Sequence, residues 1–381
     1  MRFVKTLLLF LLAAFILNSC KENYLPPAIF NPSRILVVDG FLNNSLTDTT
    51  YIQLSRTNKL SEGPANAAEL KAVITIENED GNTIYTSFEL GRGAYIFPGI
   101  YLDSNKSYKL RIHTFNGQEY LSDALTGAST PPIDSIGFDK TNKGVDIHVN
   151  THDPQNNTRY YRWEYTETFQ YHAKYYAGLI LPGDGTFQYR PDSEQIYECW
   201  KTEASTQLLL ASSSQLEQDI IYKNILRHID QDGVELSLKY FIKIRQYALT
   251  NGAYEYLQLL KKVSEQSGGL FDIQPTQLDG NIHNLSNPGD DALGYMTVAT
   301  LQSKEIYFTN AQVQPWRYNP ECDFFEIKPK QIPKNVTIDL PLVGLSIDGS
   351  PLDPKGIYVA PADCGDCRRI GGVTTKPDFW Q

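Results

Sequence analysis

Hydrophobic and polar residues alternate along much of this chain with the period of two that a half-buried strand requires. The alternation is clearest at Tyr108, Leu110 and Ile112 against Lys109, Arg111 and His113. It recurs at Tyr161, Trp163 and Tyr165 against Arg162 and Glu164, and keeps its phase through Phe169 and Tyr171. A third stretch sets Tyr240, Ile242 and Ile244 against Lys243 and Arg245. Shorter apolar runs at Ile35 to Val38, Tyr51 to Leu54, Ala72 to Ile76, Leu208 to Leu210, Tyr295 to Ala299 and Ile306 to Thr309 read as further strands. Asp39-Gly40 and Glu79-Asp80-Gly81-Asn82 are turns, and Asn116-Gly117 before Glu119-Tyr120-Leu121 is a hairpin signal. Only Ala253, Tyr256, Leu257 and Leu260 follow helical spacing, with Asn251 placed to cap the helix and Gly268-Gly269 to stop it.

This pattern predicts a mainly β fold of two β-sandwich domains, immunoglobulin-like or transthyretin-like, the second carrying a helical insertion. Thr130-Pro131-Pro132 sets the boundary, giving a first sandwich over residues 34–129 and a second over 130–345. Dense Gly and Pro from Ser346 onward predict an irregular C-terminal tail, 346–381, lying along the surface of the body. No repeat of fixed period is present.

The N-terminus has a different character. Arg2 and Lys5 precede an apolar run from Leu7 to Leu17, too short to span a bilayer but suited to a signal peptide. Leu17-Asn18-Ser19-Cys20 then resembles a bacterial lipoprotein box. Residues 1–19 are therefore expected to be removed, and the Cys20 thiol to carry diacylglycerol with palmitate-type chains. Three acyl chains hold a protein stably where one would not. Residues 20–33, with Pro26, Pro27 and Pro32, read as an extended tether. Lys21 follows Cys20 where inner-membrane retention would call for Asp, which favours the outer membrane.

Composition narrows the possible partners. The chain has 381 residues, of which 362 would follow cleavage, with 24 Tyr, 17 Phe and 4 Trp beside 26 Gly and 21 Pro. Removing Arg2 and Lys5 takes the formal charge from −10 to −12, which argues against nucleic acid and anionic lipid head groups. No second apolar run approaches membrane-spanning length, so the lipid is the expected membrane contact.

Candidate chemistry is sparse. HExxH, the phosphate-binding GxxxxGK[ST] and GxSxG are absent, and Gly91-Arg92-Gly93 lacks the third glycine of a dinucleotide fingerprint. His113, His148, His152, His172, His228 and His283 show no paired ligand spacing, and His113 and His148 read as solvent-facing strand residues. Thr151-His152-Asp153 precedes a Pro turn with no nucleophile nearby. No catalytic residue, cofactor or metal is assigned; Asp290-Asp291 lacks a liganding register for Ca²⁺. The aromatics from Tyr160 to Tyr176 could stack on sugars, but Tyr161, Trp163 and Tyr165 share one strand face and read as core. Tyr175 and Tyr176, next to Gly178 and Pro182, are the candidates for ligand contact. Cys199, Cys322, Cys364 and Cys367 are expected to form two disulfides and no zinc site, with the pairing left open.

Several segments together resemble one family. The lipoprotein box, Arg34-Ile-Leu-Val-Val-Asp-Gly40, Pro132-Ile-Asp-Ser-Ile136, Tyr240-Phe-Ile-Lys-Ile-Arg-Gln-Tyr247, Gly269-Leu-Phe-Asp272 with Gln274-Pro275, and the ending Cys364-Gly-Asp-Cys-Arg-Arg-Ile-Gly-Gly372 with Lys376-Pro-Asp-Phe-Trp380 are similar to domain of unknown function 4249. The resemblance implies a β-rich outer-membrane lipoprotein of Bacteroidetes, facing the cell exterior, often encoded beside TonB-dependent receptors. It implies no functional residues. The expected function is that of an accessory or binding protein, partner of a TonB-dependent transporter. The alternative is a cell-surface hydrolase or glycan-active enzyme.

Overall fold

The structure is a computed structural model that describes residues 34–58, 67–180, 188–265, 278–323, 325–327, 342–345 and 357–381. Cys20, the tether and the Gly268-Gly269 stop lie outside the described residues, as do residues 346–356 of the expected tail. The fold is mainly β, with strands gathered in several sheets.

Two sheets enclose the first core. One runs in the order Leu36–Gly40, Thr49–Arg56, Ala94–Pro98, Phe88–Gly91; the other includes Val73–Glu77, Ser107–His113 and Glu119–Ser122. Leu36, Ile52, Leu54 and Phe97 from the first meet Ile74, Leu110, Ile112 and Tyr120 from the second. Tyr108, Leu110 and Ile112 point inward, as their alternation predicts, and each fully buried side chain of this size is worth about 1.5–3 kcal/mol. Between the exposed Lys109 and His113, Arg111 is held by Glu77 and Glu119.

A second pair of sheets encloses the aromatic core. Ile133–Lys140, Gly144–Asp153 and Asp219–Asp230 form one sheet. The other has the order Glu198–Ala204, Tyr160–His172, Lys239–Leu249, Leu301–Thr309. Tyr161, Trp163, Phe169, Tyr171, Tyr240 and Phe308 fill the space between them. Trp163 can be buried because its indole N–H donates to Gln246 at 2.8 Å, and Gln246 in turn donates to the Pro131 carbonyl and the Thr151 hydroxyl.

The chain crosses back between these bodies. Ile282–Asn284 pairs with Glu119–Ser122, and Val298–Ala299 lies parallel to both Leu42–Asn43 and Leu125–Ala128. Residues 282–299, which the sequence reading counts with 130–345, thus deliver Ile282, Met296 and Val298 to the first core. The helix Asn251–Glu265 forms where its spacing predicts, but its cap is Thr250 rather than Asn251. The Thr250 hydroxyl accepts from Ala253 N, whereas the Asn251 amide donates to Glu255. Among the described residues, no helix is long and apolar enough to cross a membrane.

The C-terminal residues are integral to the body. Disulfides join Cys199 to Cys367 and Cys322 to Cys364, so both bridges tie the ending to earlier parts of the chain. Gly371 adopts φ +92°, ending the turn Cys367–Ile370 in the left-handed region. A Cβ on Gly372 would lie 2.4 Å from the Tyr171 hydroxyl, so the pair of glycines lets the ending hug the aromatic core. Val373 then exchanges backbone hydrogen bonds with Trp200, and Trp380 packs against Trp200 and Phe241.

Candidate functional site

The outward rows of the aromatic sheet make the most distinctive surface. Because Tyr161, Trp163 and Tyr165 face inward, Arg162, Glu164 and Thr166 must face outward. Pairing sets Arg162 opposite Tyr247, Glu164 opposite Arg245 and Thr166 opposite Lys243, while Leu301 and Ser303 extend the rows across the next strand. At one end, the Tyr307 hydroxyl and the Phe241 ring engage Phe379. At the other end Phe41 sets its ring edge-on to Tyr247, with centroids 4.4 Å apart, and joins the two bodies. A cleft of about 820 Å³ is left between, its opposite wall carrying Asp39, Asp48, Tyr51 and Gln53.

Charge within the cleft is organised by Glu164. Its carboxylate accepts from Arg162 at 2.6 Å and from the Tyr247 hydroxyl at 2.9 Å, and Arg245 approaches to 3.2 Å. Burial and the neighbouring Glu164 carboxylate hold the Tyr247 phenol well above its ordinary range, so it stays a donor at any physiological pH. Lys243 has no partner among the described residues. A second compartment of about 590 Å³ opens beside the helix, and Asp39, Phe41, Gln53, Arg162 and Tyr247 border both spaces. Its walls include Val37, Leu249, Tyr256, Leu257 and Leu260. A concave space where two cores meet, apolar on one side with a few converging polar groups, is the usual form of a ligand site.

The residues favoured from sequence lie elsewhere. The Tyr175 hydroxyl donates to the Cys322 carbonyl and its backbone N–H to Cys364, so it supports the disulfide region. Tyr176 is exposed, edge-on to Tyr197. Neither lines the cleft. Asp153 accepts from the N–H groups of Gln155, Asn157 and Thr158, while His152 pairs with Asp134, so Thr151-His152-Asp153 ends the strand Gly144–Asp153 and Asp153 holds the turn that follows. His148 is buried rather than solvent-facing: Gly137 directly opposite leaves room for its ring, and Asp139 stands 3.4 Å from its Nε2.

Asp291 also has a clear occupation. It pairs with His283 at 2.8 Å, and Asp123 takes the other ring nitrogen at 3.1 Å. The hydrogen bond that the His283 ring donates to Asp291 raises its pKa, partial burial opposes it, and Asp123 adds to the rise. A raised folded value means that this clamp contributes fully below the ordinary value of about 6.5 and is lost as pH rises through the folded value. His283 is nearly half exposed, so solvent screens the effect. Proton NMR of the imidazole should give a midpoint above that of a His283 peptide; a midpoint at or below it would refute the clamp.

These features define a mainly β, disulfide-tied protein with a cleft between two packed bodies. The chain belongs to the family described as Domain of unknown function (DUF4249), which matches over residues 22–305. That match ends before the Cys364 to Trp380 ending, which the structure ties to the aromatic core. Among curated proteins, none matches the chain.

Proposed function

We propose that this protein is a lipid-anchored outer-membrane lipoprotein, held at Cys20 and facing the cell exterior, that captures a ligand in its cleft for a TonB-dependent transporter. The observation that carries the binding role is the cleft itself, with apolar and charged compartments joined at Arg162 and Tyr247. The lipoprotein box supports the anchor, and the outer-membrane and transporter assignments rest on the family resemblance. A surface hydrolase or glycan-active enzyme is the second reading. Glu167 and Glu203 stand directly opposite each other beside a space of about 430 Å³. Glu167, however, is already engaged by Arg227 and Tyr240, which favours a structural role for it.

Cys20→Ala tests the anchor. The variant should accumulate as soluble or uncleaved protein, whereas wild type should fractionate with the outer membrane and be shaved by protease added to intact cells. An acylated Cys20→Ala protein at wild-type mass, or complete protection of wild type until the outer membrane is breached, would overturn this placement. Extraction of the wild type in mild detergent should bring a β-barrel transporter with it.

A further inference from the structure

We infer that the cleft takes an anionic amphiphile, its apolar body beside the helix Asn251–Glu265 and its head on Lys243. This rests on the reading of the cleft as a ligand site and goes further by naming the chemistry of the ligand. The compartment beside the helix is walled by Val37, Leu249, Leu257 and Leu260; among the described residues Arg162 is its one cation and Asp39 its one carboxylate. An apolar wall of this kind gains from shedding water onto an apolar ligand.

Arg162 and Tyr247 on the sheet and Asp39, Phe41 and Gln53 on the other side mark the passage from the apolar to the polar space. Beyond them the sheet wall carries Arg162, Lys243 and Arg245 with Glu164 among them, and Glu305 lies opposite Lys243 in the next strand. Glu164 pairs with both arginines and leaves that side of the wall net positive, while Lys243 is exposed, opposite Glu305 in the register but in no ion pair among the described residues. Asp39 and Asp48 stand on the opposite wall and repel an anion from that side. A head carrying a carboxylate or phosphate is thereby directed onto Lys243, while hydroxyl or amide donors near the head suit Asp39. A cationic head would meet Lys243 and two arginines on the face where it must leave the apolar compartment.

The test uses the full mature chain with Cys20→Ala, purified without detergent so that no other acyl chain competes. Calorimetry below the micellar concentration compares laurate, dodecyltrimethylammonium with the same tail, and butyrate with the same head. Laurate should bind at one site, dodecyltrimethylammonium about tenfold or more weakly, and butyrate without measurable heat. Leu257→Glu and Lys243→Glu should each weaken laurate by about tenfold or more, and Lys243→Glu should also abolish the preference for the anionic head. Lys243 is exposed, so that variant reports even where Leu257→Glu fails to fold. No laurate binding, equal affinity for both heads, or laurate affinity unchanged in folded Leu257→Glu would overturn the proposal. Co-purification of a transporter by the acylated wild type is a separate readout, so the ligand class can fail while the capture role stands, and the reverse.

Discussion

A chain in which Cys199 and Cys367 are both alanine is expected to lose about 5 kcal/mol of stability, because their bridge closes a separation of 168 residues in the unfolded state. The Cys322–Cys364 bridge spans 42 residues, and its removal should cost about 4 kcal/mol. The two loops overlap, so removing both should cost less than the sum. In the folded state the ending keeps other ties: Cys367 N donates to the Ile196 carbonyl, the Tyr171 hydroxyl donates to the Cys367 carbonyl, and Trp380 stays against Phe241. Most of the loss should therefore appear as expansion of the unfolded chain. Urea unfolding without reductant should show a lower midpoint together with a steeper slope. An unchanged midpoint for the Cys199 and Cys367 double variant would refute this pairing.

Strand existence was legible because alternation is local. Tyr108 to His113, Tyr161 to Tyr171 and Tyr240 to Arg245 each announce an inward and an outward row without reference to any partner. What alternation cannot announce is which row a distant segment will cover. Arg162, Glu164, Lys243 and Arg245 were readable as outward residues, yet their meeting across one register and the approach of Phe41 depend on tertiary packing. The parallel pairing of Val298–Ala299 with Leu42–Asn43 joins segments more than 250 residues apart, and no turn signal encodes it. Cysteine pairing was hidden for a related reason. Cys364 lies in the helical turn Ala362–Gly365 and Cys367 begins the next turn, so two residues three apart go to different partners. Tyr175 was favoured as exposed because Gly178 and Pro182 suggest a loop, but its hydroxyl finds a carbonyl beyond the reach of local pattern.

Arg227→Met should destabilise the protein by about 3–5 kcal/mol, the typical cost of removing one partner from a buried ion pair. Glu167 stands in the inward phase with Tyr165 and Phe169 and is buried, 3 % exposed. Its carboxylate survives there because Arg227 donates to both oxygens, at 3.1 and 3.2 Å, and the Tyr240 hydroxyl donates as well. Glu235 takes another nitrogen of the same guanidinium at 3.0 Å, which anchors the pair at one side. Burial already pushes the Glu167 pKa up against the pull of Tyr240 and Arg227, and losing Arg227 would push it further. A carboxyl with a raised folded pKa binds its proton more tightly in the native state than in the unfolded chain. The penalty in Arg227→Met should therefore be small below the unfolded value and grow as pH rises through the folded one. Adding Glu167→Gln to Arg227→Met should remove that pH dependence and recover part of the loss, since a neutral amide is cheaper to bury than an unpaired carboxylate. Urea midpoints measured for the three proteins across the acid-to-neutral range decide the matter: a flat pH profile for Arg227→Met, or no recovery in the double variant, would show that Glu167 does not depend on Arg227 to remain buried and charged.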